Sequence, residues 1–248
     1  MFRLLLALVF GTPLFALISI VPVEMGEDVG VSVEAGASLS TKRGNSDTDS
    51  YKASARIAYD SNTTYVTWMQ ISGEYGEAND EKNVQKIYAH LRYIYNITDR
   101  YNVAEAFVQS QEDEFRLIQK RRLLGGGYRV HLLRDFFPMK FFIGFGGMYE
   151  YITYLSANNP NENNFRLNTY LAFTYPFKED LRISFTSYYQ PKVDEFSDFV
   201  TANKFELQFK IIEHLFLNFR ISYDYDAQPA IEVKKYDFYQ DTAFIYKF

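Results

Sequence analysis

The chain has 248 residues, a formal net charge of −5 and no cysteine. Without cysteine there is no disulfide, no Cys-ligated metal, no thiol nucleophile and no lipid-modified N-terminal cysteine, and the acidic balance argues against nucleic acid as a partner. With 23 Phe, 21 Tyr and one Trp, 18% of the residues are aromatic, a content that suits two interfacial girdles of rings better than a soluble core.

Arg3 and the apolar run from Leu4 to Val23, broken by Gly11, Pro13, Ser19 and Pro22, have the form of an export signal. The expected division is a signal peptide at residues 1–26 and a membrane domain at 27–248. No A-x-A triplet precedes Glu24 to Asp28, so an uncleaved anchor is the alternative. Beyond Asp28 the longest uncharged stretch, Ser61 to Gly73, is too short for a spanning helix.

From about Asp28 onward the chain alternates with period two, the mark of strands with one apolar and one wetter face. Twelve strands are expected, beginning near Asp28, Asp49, Thr63, Asn83, Tyr101, Leu117, Met139, Asn163, Asp180, Asp198, His214 and Val233. Phe165, Leu167, Leu171, Phe173 and Tyr175 share one face, with Arg166, Asn168, Tyr170 and Thr174 on the other. The same logic sets Ile183, Phe209, Phe219 and Leu171 toward lipid, and Thr186, Ser222 and Asn168 inward. Stretches around Val103, Leu123 and Phe145 are poorly patterned. The chain closes on Phe244, Tyr246 and Phe248, one apolar face of a last strand.

Connections alternate in length. Short turns fall at Asp60 to Asn62, Thr98 to Arg100, Leu133 to Pro138, Pro176 to Glu179 and Ile212-Glu213. Longer polar links run over Arg43 to Ser50, Gly76 to Asn83, Gln111 to Gln119, Leu155 to Asn164, Pro191 to Phe199 and Asp226 to Val233. This is the pattern of an all-β, antiparallel transmembrane barrel with short periplasmic turns and longer extracellular loops. The bacterial outer membrane is the expected location. Outer-membrane lipids and lipopolysaccharide are the expected surroundings, and the barrel-assembly machinery would take up the strand ending in Phe248.

Gly44-Asn45-Ser46-Asp47-Thr48, set between two strands, resembles the first-hairpin motif of YdiY-like salt-induced outer-membrane proteins, a family filed as a domain of unknown function. Ile97 to Tyr101 after the aromatic strand Ile87 to Tyr95, Leu124 to Tyr128 and the closing strand are similar too. The resemblance implies an outer-membrane barrel and no established reaction. On its own chemistry the motif makes a compact hairpin tip, with a cation site from Asp47 and Asp49 as the functional alternative.

Charge is the main functional clue. The six long links hold 14 acidic and 4 basic residues, while the polar faces of the best-patterned strands carry Lys52, Arg56, Lys86, Arg92, Arg166, Arg182, Lys204, Lys210 and Arg220. Fixed guanidinium groups suit carboxylate or phosphate, so a narrow anion-preferring pore for small solutes is one expectation. The alternative is a non-conducting structural or stress-related envelope barrel, in which Glu34, Glu74, Glu105 and Asp241 pair with these cations inside. Gly125, Gly126 and Gly127 stand opposite Gly144, Gly146 and Gly147, marking either a bend in the wall or clearance for a solute or lipid chain. Ser72, His90 and Glu74 are the one catalytic candidate, for a barrel-embedded lipid hydrolase. An enzyme is not expected, nor is a cofactor or, with three scattered His, a metal centre. Lys120-Arg121-Arg122 could hold lipopolysaccharide phosphates or be rim charges whose stems snorkel.

Overall fold

The computed structural model describes residues 23, 25–42, 48–78, 81–99, 101–132 and 138–248. Residues 1–22 and 24 of the expected export signal at 1–26, and Gly44 to Asp47 of the hairpin tip, lie outside the described residues. Twelve strands follow in order: β1 Gly30–Lys42, β2 Thr48–Asp60, β3 Tyr65–Ala78, β4 Glu81–Asp99, β5 Asn102–Asp113 and β6 Ile118–Leu132, then β7 Lys140–Tyr154, β8 Glu162–Lys178, β9 Leu181–Pro191, β10 Phe199–Ile212, β11 Leu215–Asp226 and β12 Tyr236–Lys247. Each pairs antiparallel with its sequence neighbours, and β1 pairs with β12, so the sheet closes on itself. The expected count and order hold.

Closure removes every free edge, and it sorts the side chains. Along β8, Phe165 and Leu171 are exposed while Asn164, Arg166, Asn168 and Tyr170 are buried. Along β4, Ile87, Leu91, Tyr93 and Tyr95 are exposed and Lys86, His90, Arg92 and Ile94 are buried. Large apolar groups on the outside and charged groups on the inside invert the arrangement of a soluble protein. That inversion is stable only with hydrocarbon around the wall. Tyr59, Tyr65, Tyr93 and Tyr95 stack along the outside near the turn end. Tyr189, Phe199 and Tyr225 pack in tilted contacts near the loop end.

The turn end is built by local chemistry. The Asp60 carboxylate accepts from the backbone N–H of Asn62 and of Gly26, both at 2.7 Å. Ser61 Oγ accepts from the N–H of Thr64 and Tyr65. Asn62, at φ 74, takes the left-handed conformation that asparagine tolerates.

One expectation needs correction here. Strands run beyond the expected links: only residues 79 and 80 separate β3 from β4, and β5 meets β6 through one 3₁₀ turn, Glu114–Arg116. Glu77, Glu81, Glu112, Asp113, Glu162 and Asp226, counted as loop acids, therefore belong to strands. Above the hydrocarbon both faces can be polar, so the alternation stops before the ladder does. Thr186 and Asn168 face inward as expected and are tightly buried, Asn168 accepting from Gln190 Nε2 at 2.8 Å.

The facing makes a clear contrast. Leu171→Arg or Phe209→Arg should destabilise the barrel by about 2–4 kcal/mol near the midplane, whereas Ser222→Arg, directed into the interior, should be far milder. Urea unfolding of lipid-refolded protein, followed by heat-modifiable gel migration, checks this, and equal losses on both faces would contradict the assigned facing.

Candidate functional site in the barrel interior

The interior is filled on one side and hollow on the other. From β3 to β9 the inward residues are large: Trp68, Phe107, Leu123, Met148, Tyr170 and Tyr188 form a buried cluster. Two glycines make this packing possible. A side chain at Gly144 would overlap the Tyr170 ring, and one at Gly125 would overlap Phe107. The clearance expected of the glycine cluster is thus taken up by the protein's own aromatics.

Charges are threaded through that packing. Glu105 is held by Arg129 at 3.2 Å and Arg92 at 3.5 Å, and accepts a hydrogen bond from Tyr170 Oη at 2.6 Å. Arg92 lies over the rings of Trp68 and Phe107, and Arg129 over Phe142. Arg129 also donates at 2.9 Å to the Val23 carbonyl, and Met25 is buried against the core. Val23 and Met25, ahead of β1, are therefore packed into the turn end of the barrel.

The loop end is crossed by a second layer of ion pairs. Lys86 reaches Asp113 at 3.2 Å, and Arg116 of the 3₁₀ turn reaches Asp237 at 3.4 Å. Glu150 is shared by Arg121 and Arg166, and Arg166 continues to Asp198 at 3.0 Å, where Lys192 also pairs. All of these side chains except Lys192 are almost fully buried. Above them the loops bond to one another: Asn159 accepts from the N–H of Ile231, and Gln228 donates to Glu195.

Where the inward residues are small, space remains. Ser32, Gly36, Ser54, Ser72, Ser184 and Ser222 line a cavity of about 250 Å³ between β1–β4 and β9–β12. It runs from Glu27, Asp28 and Asp60 at the turn end up to Lys86 and Gln111. Asp113, Arg116 and Asp237 stand beyond its upper limit.

All eight cations expected to line a pore point inward, but they divide. Lys52, Arg56, Lys86, Arg182, Lys204 and Arg220 line the cavity, while Arg92 and Arg166 are locked in the packed region. Lys210 is exposed at the turn-end rim, where β10 carries a bulge between Lys210 and Ile212, and takes no part in the interior ladder. Of the carboxylates expected to pair inside, Glu105 does so as described, Glu34 with Lys247 at 3.0 Å, and Asp241 with Arg220 and Lys52. Glu74 lies opposite Lys52 and Lys86 in register.

Sequence reading missed Arg116, Arg121, Arg129, Glu150, Asp113, Asp198 and Asp237. Arg121 had been grouped with Lys120 and Arg122 as a rim cluster. Period two would have separated them, since Arg121 faces inward and its neighbours outward. The serine–histidine candidate is not assembled: Ser72 stands opposite Tyr88, and His90 opposite Gln70. His90 Nδ1 lies 3.2 Å from Gln109 Oε1, and the ring stacks between Tyr88 and Phe107.

Twelve antiparallel strands closed into a ring, apolar outside and charged inside, define a β-barrel of the outer-membrane type. The chain belongs to DUF481, a family of proteins of unknown function, whose pattern matches residues 33–248. No curated protein sequence matches it. Its fold is similar to that of an outer-membrane channel from Pseudomonas putida F1, with a TM-score of 0.55 and 11% identity over 92% of this chain and 100% of that one. It is likewise similar to the translocator domain of the autotransporter NalP from Neisseria meningitidis, with a TM-score of 0.52 and 9% identity over 90% and 89% of the two chains.

Removing Glu105 leaves Arg92 and Arg129 buried without their counter-charge, so Glu105→Ala should cost about 3–5 kcal/mol. Glu34→Ala, in a half-exposed pair with Lys247, should cost about 0–1 kcal/mol. Thermal melts of the two refolded variants provide the comparison.

Proposed function

We propose that the protein resides in the bacterial outer membrane as a barrel closed toward the outside, an envelope component without constitutive conductance. The observation that carries this reading is the buried ion-pair layer at the loop end, in which Lys86 at the top of the cavity pairs with Asp113 and Arg116 pairs with Asp237 beyond it. The aromatic packing from Trp68 to Tyr188 fills the other side of the barrel. In this reading short turns face the periplasm, and Lys120 and Arg122 meet lipopolysaccharide phosphates at the outer rim. The strand ending in Phe248 is presented to the assembly machinery. A contribution to envelope integrity, including under osmotic stress, fits such a closed wall.

A second reading, the narrow anion-preferring pore, draws on one further feature. The cavity reaches Lys86 and Gln111, so little more than the Asp113, Arg116 and Asp237 layer separates it from the loop end. Displacing that layer would open a path lined by Lys52, Arg56, Arg182, Lys204 and Arg220, whose charge would set the local potential in a narrow lumen.

Bilayer conductance of the refolded protein separates the two. The wild type should show no conductance steps, and Lys86→Ala combined with Arg116→Gly should produce them by breaking both pairs. Wild-type conductance whose reversal potential across a salt gradient favours anions, shifting toward cations in Arg182→Gln and Arg220→Gln, would replace the first reading with the second.

A further inference from the structure

The carboxylates that line the cavity are already engaged or displaced from its centre. Glu34 is with Lys247, Glu206 with Arg220 at 3.1 Å, and Glu27 with Lys140 at 2.9 Å. Asp60 serves the backbone of Gly26 and Asn62, Glu74 sits between Lys52 and Lys86 in register, and Asp28 is exposed at the rim. Two guanidinium groups are left over. Among the described residues neither Arg56 nor Arg182 has a carboxylate within 4.0 Å, and Arg56 Nε is buried with no hydrogen-bond partner.

Arg56 is nonetheless held in place. Its guanidinium lies 4.9 Å from the centre of the Trp68 ring, so one face is spent on the indole and its N–H edge stays available. Glu34, its cross-strand neighbour, bonds Lys247 instead. Arg182 enters the same cavity from β9, on the far wall from β2. Small side chains on both walls leave the intervening space open. A guanidinium held in a cavity with no carboxylate in direct contact attracts an anion more strongly than one in open water, and its fork matches two oxygens of one planar or tetrahedral group.

We propose that Arg56, backed by Trp68, and Arg182 form a binding site for a small oxyanion, a carboxylate or phosphate compound admitted from the turn end of the barrel. Occupancy of this site does not require the loop end to open.

Trp68 is the only tryptophan in the chain, so its fluorescence reports on the site directly. Sodium succinate and sodium phosphate are titrated separately into detergent-refolded protein at constant ionic strength, with sodium chloride as the reference. Isothermal titration with the same salts detects any binding to which the indole is silent. A saturable signal beyond that of chloride is expected with at least one of the two, and which one responds identifies the ligand class. Arg182→Gln, distant from Trp68, should weaken Kd at least tenfold, and Arg56→Lys, which keeps the charge but loses the fork, should do the same. Heat-modifiable migration confirms that each variant is folded, and Arg182→Lys replaces any glutamine variant that is not. The proposal is overturned if neither anion binds the wild type more than chloride does, or if the folded variants bind as the wild type does. Conductance is read independently: a protein that conducts and binds overturns only the closed-barrel reading, and one that neither conducts nor binds overturns only the oxyanion site.

Discussion

A charge locked into the packed side of a membrane barrel faces neither lipid nor bulk water, so a counter-charge within the ring is what stabilises it there. Much of the interior is organised by that requirement. Glu105 is satisfied by two arginines from neighbouring strands and by the Tyr170 hydroxyl, which comes from across the packed side. Fixing Tyr170 in turn demands the bare backbone of Gly144. Arg92, drawn to Glu105, presents its guanidinium to Trp68 and Phe107. Polar and aromatic parts of the plug thus hold one another in register. Leaving a partner out is much costlier than having neither.

The architecture was legible in the sequence to the extent that lipid was writing it. On β8, β9 and β11 the outward face must be apolar and the inward face is polar, so alternation gave both strand position and facing. On β5, β6 and β7 the inward face carries Val103, Phe107, Leu123 and Met148, because these strands border a packed interior. At those positions apolar residues or glycine stand on both faces, and the period weakens in the sequence while the strand persists. Strand ends were hidden for the opposite reason. Asp113 and Glu162 look like loop residues, yet the ladder continues past the membrane and puts Asp113 in a fully buried ion pair. The cation ladder was visible; its partners across the ring were not, because pairing depends on register and on which strands a closed ring brings face to face.

Packing and emptiness divide the interior along the chain. Large inward residues cluster from β3 to β9, whereas serine and glycine dominate the inward face of β1 and Ser54 and Ala58 alternate with Lys52 and Arg56 on β2, so the cavity follows from side-chain volume. A barrel of this girth is wide enough to be either plugged or hollow, and this chain is both, side by side. At the loop end the 3₁₀ turn after β5 carries Arg116 across to Asp237 of β12, beside the Lys86–Asp113 pair of two adjacent strands.

The ring is not equally strong all the way round. The β1–β2 ladder runs from Gly30↔Asp60 to Lys42↔Thr48, whereas β1 and β12 are joined only from Glu34↔Lys247 to Ala37↔Phe244. Every other junction links strands that a local turn or loop brings together, but this one must wait for the two ends of the sheet to meet. Such a wall behaves like a clasped band: hairpins set its curvature, and the short clasp holds the circumference constant. Strain in the surrounding bilayer would concentrate at the clasp, because fewest backbone hydrogen bonds there resist separation. Its hold is supplemented by the Glu34–Lys247 pair and by the Phe248 N–H, which donates to the Val33 carbonyl at 2.9 Å. The last residue of the chain thus acts as the pin of the fastening.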